Sequence, residues 1–96
     1  MSQPKLDLQC REIYFSGFVQ GVGFRYTTRA IAARFDVRGY VKNLVDGRVL
    51  LVVEGEPDVL DQFVAAVEAE LSRHIENRQT TVSRATGQFG RFEVRY

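Results

Sequence analysis

Val37–Glu54, VRGYVKNLVDGRVLLVVE, is the stretch whose reading decides the fold. Val37, Gly39 and Val41 alternate with Arg38, Tyr40 and Lys42, the two-residue period of a strand with two distinct faces. After Asn43, the segment Leu44-Val45-Asp46-Gly47 carries an Asp-Gly turn signal, and Arg48 to Glu54 is almost continuously apolar between its ends. The stretch reads as a β-hairpin. On its amino-terminal side Phe24, Thr28, Ile31 and Phe35 recur at helical spacing, with Arg29 and Arg34 free to face water; this helix is expected to end near Phe35 or Asp36. On its carboxy-terminal side Gly55 breaks the strand. Pro57 suits the first turn of a second helix, and Asp58 and Asp61 sit favourably against its dipole. Leu60, Phe63, Val64, Val67 and Leu71 then form an apolar stripe. Outermost are a strand from Leu8 to Ser16 centred on Ile13, Tyr14 and Phe15, and another from Thr80 to Arg84. A turn over Gly87 to Gly90 and a final strand over Arg91 to Tyr96 close the chain. The polar run from Ser72 to Asn77 is assigned to no element.

The order is βαββαβ plus a terminal edge strand. Two crossover helices can cover only one face of such a sheet, so the expected fold is α+β: a ferredoxin-like two-layer sandwich, mostly antiparallel, with both helices on one face. In that arrangement the first two strands are parallel and separated by the third. Parallel strands end at the same edge of the sheet, and two strand spacings amount to about 10 Å. The glycine-rich loop after the first strand should therefore lie close to Asn43 at the end of the second.

Composition narrows the classes of function. Ninety-six residues make one domain, placed at 8–96 behind a flexible amino terminus over 1–7. Thirteen Lys and Arg against twelve Asp and Glu leave a net charge of +1, which argues against a nucleic-acid backbone as the main partner. The single cysteine, Cys10, forms no disulfide within the chain and fits a reducing, cytoplasmic setting. One His and one Cys build no zinc or iron–sulfur site, so neither a metal nor another cofactor is expected. The start MSQPKLDLQC has no long apolar run, and no membrane association is expected. Nothing in the sequence asks for an obligate dimer, and a monomer is expected.

The loop SGFVQGVGFRY, Ser16–Tyr26, joins a strand to a helix. Free N–H groups and the positive dipole end at a helix start make an anion site, and glycines let a ligand approach the backbone closely. Arg25 falls in the opening turn, where a cation costs about 0.3–1 kcal/mol against the dipole. A phosphate bridging Arg25 and the amides would remove that conflict, because guanidinium grips phosphate through two parallel hydrogen bonds. Familiar phosphate motifs do not fit. A Walker loop needs Gly-Lys-Ser/Thr, the dinucleotide pattern from Gly21 and Gly23 would need glycine at Tyr26, and a Cys-x5-Arg pattern from Cys10 meets Ser16. From the residues alone two readings stand: an anion site, or a tight turn beside a surface arginine. Asn43 likewise reads either as a turn residue or as part of a site.

Gly17-Phe18-Val19-Gln20-Gly21-Val22-Gly23-Phe24-Arg25 resembles the first signature of the acylphosphatase family. Gly39-Tyr40-Val41-Lys42-Asn43, followed by Gly47, Val49 and Gly55, resembles the second. The resemblance runs from about Leu8 to the closing FEVRY and implies a ferredoxin-like fold. It also implies hydrolysis of acyl phosphates to a carboxylate and inorganic phosphate, without a metal or a phosphoenzyme. Arg25 and the backbone amides of Gln20, Gly21, Val22, Gly23 and Phe24 would bind the phosphoryl group, and Asn43 would orient the attacking water. Phe18 departs from the polar or basic residue frequent in the family, with altered substrate access or packing on the loop as the two consequences weighed. The stretch 72–79 is more charged than expected.

The remaining polar residues have plainer readings. His74 reads as a solvated histidine past the second helix, Cys10 as a small core or edge residue, and Asp58, Asp61, Glu68 and Glu70 as a wet helix face. Arg84, Arg91 and Arg95 read as solubilising surface charge. The competing assignment is a non-catalytic ligand-binding or RNA-binding module on the same scaffold. Arg38-Gly39-Tyr40-Val41 faintly resembles an RNA-recognition motif, but on the second strand rather than the third.

Overall fold

The structure is a computed structural model and describes residues 7–96; the expected flexible segment 1–7 therefore lies outside it but for Asp7. The elements are β1 (Gln9–Gly17), α1 (Phe24–Ala32), β2 (Arg38–Asn43), β3 (Val49–Gly55), α2 (Pro57–Leu71), β4 (Ile75–Arg84) and β5 (Phe92–Arg95). The strands form one sheet in the order β4-β1-β3-β2-β5. Every pairing is antiparallel except β2 with β5. With β3 antiparallel to both neighbours, β1 and β2 run the same way and finish at one edge. The expected α+β sandwich is the fold observed.

Alternation decides which face is covered. Ile13 and Phe15 of β1, Val41 of β2, and Val49, Leu51 and Val53 of β3 are buried, and they pack with Phe24 and Ile31 of α1 and Leu60, Phe63 and Val67 of α2. Ion pairs tie the same face to α2, Arg11 with Asp61 at 2.7 Å and Arg78 with Glu68. The opposite face carries Tyr14 and Tyr40, each covered by an arginine: Arg48 Cζ lies 4.5 Å from the Tyr14 ring and Arg95 Cζ 4.0 Å from that of Tyr40.

Two boundaries differ from expectation by more than one residue. α1 ends at Ala32, short of Phe35, because the chain tightens into three-residue turns. Arg34 N–H bonds the Ile31 carbonyl at 2.9 Å and Phe35 N–H that of Ala32 at 3.0 Å. β4 begins at Ile75, five residues before the expected Thr80. It is an edge strand held by backbone pairing to β1, with Phe15 opposite Arg78 and Ser16 opposite Asn77. Its residues after Ile75 are exposed, so no apolar alternation marks them.

β4 and β5 lie on opposite edges, so the segment 85–91 must cross the end of the sheet. Glu54, the last buried residue of β3, holds that crossing. Its carboxylate accepts hydrogen bonds from Thr86 N–H at 2.9 Å, Thr86 Oγ1 at 2.8 Å and Gly87 N–H at 3.0 Å. Gly39 N–H bonds the Arg91 carbonyl at 3.0 Å, which delivers β5 to its place beside β2.

Candidate active site

β1 ends at Gly17, β2 ends at Asn43 and α1 starts at Phe24, all at the same sheet edge. The loop between β1 and α1 is nailed down from within. Val19 is fully buried, and the Phe24 ring packs 5.2 Å from that of Phe15. Between these anchors Gly21 and Gly23 take φ of +79° and +78°, a left-handed backbone that glycine adopts without steric penalty. Gly23 is the amino-terminal cap of α1, contributes no side-chain cap, and no acidic residue occupies the first turn. The first helical bond runs from Thr27 N–H to the Gly23 carbonyl at 3.0 Å. The N–H groups of Phe24, Arg25 and Tyr26 therefore have no acceptor within the helix, and the dipole adds partial positive charge there.

Arg25 is held from the far side by β5. Its Nη1 donates to the Arg95 carbonyl at 3.0 Å, and its Cζ stands 4.5 Å from the Tyr96 ring. The Tyr26 and Tyr96 hydroxyls are hydrogen-bonded to each other. Arg95 pairs with Lys42 across the parallel ladder, which sets this support one step from Asn43. Asn43 shares the helix-facing side of β2 with Val41, and its Oδ1 is buried with no hydrogen-bond partner among the described residues. An acceptor left in that state costs about 1–3 kcal/mol.

Val19, Gly21, Gly23, Phe24, Arg25, Tyr26 and Asn43 line a single hollow of about 100 Å³. Of the residues expected from the sequence, Gly21, Gly23, Phe24, Arg25 and Asn43 meet there. Val22 and Gln20 do not line it: Val22 is exposed at the loop surface, and the Gln20 side chain donates to the carbonyls of Leu44 and Arg48. Tyr26, Val19 and the Arg95 carbonyl were not anticipated, and a supporting carbonyl leaves no signature in side-chain identities. Phe18 is 75% exposed and outside the lining, and its N–H bonds the His74 carbonyl at 3.0 Å.

A larger hollow of about 530 Å³ opens at the opposite end of the sheet, around Glu54, Arg38 and Arg84. It is the gap beside the crossing segment, and its buried carboxylate is already saturated by Thr86 and Gly87. Cys10 is buried nearby, and burial, reinforced by the Glu54 charge, pushes its thiol up to about 11, so it is no nucleophile at neutral pH. Among the described residues no three His, Cys, Asp or Glu side chains gather as a metal ligand set. No helix among them is long and apolar enough to cross a membrane.

A split βαβ sandwich in which an arginine, a carboxamide and an uncapped helix start share one small hollow defines a class of compact α+β domains built around a strand-to-helix loop. Over residues 11–94 the chain matches the family model described as Acylphosphatase, and it belongs to that family. It is similar to the acylphosphatase of Lactobacillus johnsonii, 37% identical over 83 residues that cover 84% of this chain and 91% of that one. Similarity to the acylphosphatase of Archaeoglobus fulgidus is higher but shorter, 57% over 58 residues, or 60% of this chain and 65% of the relative, just under two thirds of its length. The crystal structure of acylphosphatase from Bacillus subtilis superposes with a TM-score of 0.80 at 37% identity, covering 93% of this chain and 99% of that one.

Proposed function

We propose that the chain hydrolyses the carboxyl–phosphate bond of acyl phosphates, releasing a carboxylate and inorganic phosphate. The observation that carries this reading is the shared hollow: Arg25, the amides that open α1 and Asn43, whose Oδ1 has no partner among the described residues, border one space. Arg25 and the amides of the loop grip the phosphoryl oxygens, where charge builds as the bond to the leaving group loosens. Water, held by the Asn43 carboxamide, attacks phosphorus. The phosphorus–oxygen bond to the acyl group breaks and its electron pair leaves with the carboxylate. The water's proton passes to a phosphoryl oxygen. A carboxylate is a good leaving group, so positioning and charge stabilisation suffice, and the reaction needs neither a metal nor a covalent phosphoenzyme.

The open sheet face gives the RNA-binding alternative little support. Base stacking needs bare rings, and Tyr14 and Tyr40 are covered by Arg48 and Arg95.

The test is hydrolysis of benzoyl phosphate and acetyl phosphate in excess chelator, with a folded Arg25→Gln variant alongside. The unmodified chain should turn over both, and the variant should lose on the order of 10²–10³ in kcat/KM. Equal rates for the two proteins would remove Arg25 from the chemistry, and no turnover by either would overturn the assignment.

A further inference from the structure

Gln20 belongs to the loop, yet its side chain reaches across to the β2–β3 turn. One nitrogen, Nε2, donates to the Leu44 carbonyl at 2.7 Å and to the Arg48 carbonyl at 2.9 Å. Those carbonyls bracket a turn closed by its own backbone: Leu44 N–H bonds the Arg48 carbonyl at 2.8 Å, and Gly47 N–H bonds the Leu44 carbonyl at 3.2 Å. Both amide hydrogens of Gln20 are thus spent as second donors on acceptors that already have a backbone partner.

What the bridge connects is specific. Gln20 is bonded to Gly21, and Leu44 is bonded to Asn43; Gly21 and Asn43 both line the hollow, one from the loop and one from the end of β2. We infer that Gln20 is a positioning residue, which through its two side-chain hydrogen bonds fixes the distance between the phosphate-gripping loop and the carboxamide that holds the water. The inference rests on the functional reading above and adds a division of labour to it. Arg25 and the loop amides belong to one local segment and keep their relation to phosphate without the bridge. Alignment of the water on phosphorus depends on two segments being in register. Misplacement by about 1 Å is enough to cost on the order of 10²-fold in rate.

The test compares the unmodified chain with Gln20→Met, which keeps length and removes the donor without adding charge, and with Gln20→Glu, which replaces the donor by an acceptor. Acyl phosphate turnover and inorganic phosphate affinity are both measured. The expected result is a fall in kcat of about 10–100-fold, with KM and phosphate affinity changing by less than about threefold. A folded Gln20→Met with kcat within about twofold of the parent overturns the inference, however far its melting temperature drops. Loss of phosphate affinity in step with kcat also overturns it, since that would place Gln20 on the anion. Should neither variant fold, the parent decides by NMR: side-chain amide protons of Gln20 protected from exchange support the bridge, and free exchange sinks it. Absence of turnover by the parent would overturn the functional reading itself, whereas turnover that survives Gln20→Met overturns only this inference.

Discussion

Asn43 keeps a carboxamide oxygen buried with no donor to satisfy it among the described residues, a state that persists in a folded chain only where something repays it. Placed on the water rather than on the phosphate, it gives a prediction that separates the two roles. Asn43→Ala should lower kcat by about 10²–10³-fold while inorganic phosphate binds with nearly unchanged affinity, as read by steady-state kinetics and calorimetry. A parallel collapse of phosphate binding would move the side chain onto the anion. Arg25 and Asn43 stood out in the sequence because their motifs resemble two family signatures and the expected strand order brings them to one edge; side-chain chemistry alone left each with a second reading. Gln20 was expected only for its backbone amide, because nothing local says that its side chain would reach the carbonyls of Leu44 and Arg48. The Arg95 carbonyl beneath Arg25 was invisible for a stronger reason, since every residue there would present one.

Strands and helices followed from periodicity wherever one face is buried. Periodicity failed over β4, whose exposed residues pair through backbone alone, and this is why its first five residues carry no strand signal in the sequence. Two predictions belong at this level. Gly39 sits in β2 at φ +145°, facing the backbone of β3, and a Cβ there would overlap the Val52 carbonyl. Gly39→Ala should therefore destabilise by at least about 2–4 kcal/mol, read as a lower denaturant midpoint. The second concerns pH. Burial alone would raise the Glu54 carboxyl, but hydrogen bonds from Thr86 and Gly87 outweigh it and hold the group below the ordinary glutamate range. A carboxyl lowered by folding stabilises above its unfolded value of about 4.3, and that contribution is lost as pH falls through the lower folded value. The melting temperature should drop on acidification below about pH 4.5, and the drop should be shallower in Glu54→Gln, which starts from lower stability at neutral pH.

For the molecule as a whole, ligand linkage offers a check that needs no turnover. A site present only in the folded chain stabilises it when filled: inorganic phosphate at about ten times its Kd adds roughly 1.4 kcal/mol. In a domain of this size that raises Tm by about 4–8 °C per kcal/mol, and Arg25→Gln should abolish the rise. The hollow draws on several elements of the fold: the loop after β1 and the end of β2 line it, α1 supplies its amides, and β5 steadies Arg25 across 70 residues of chain. That last contact also has a meaning in time. Helix and hairpin can assemble from neighbours, whereas the parallel seam between β2 and β5 closes only after a long loop has been gathered, the slow kind of step in a folding chain. A refolding molecule should thus regain its helical signal before the Arg25 guanidinium is seated on the Arg95 carbonyl.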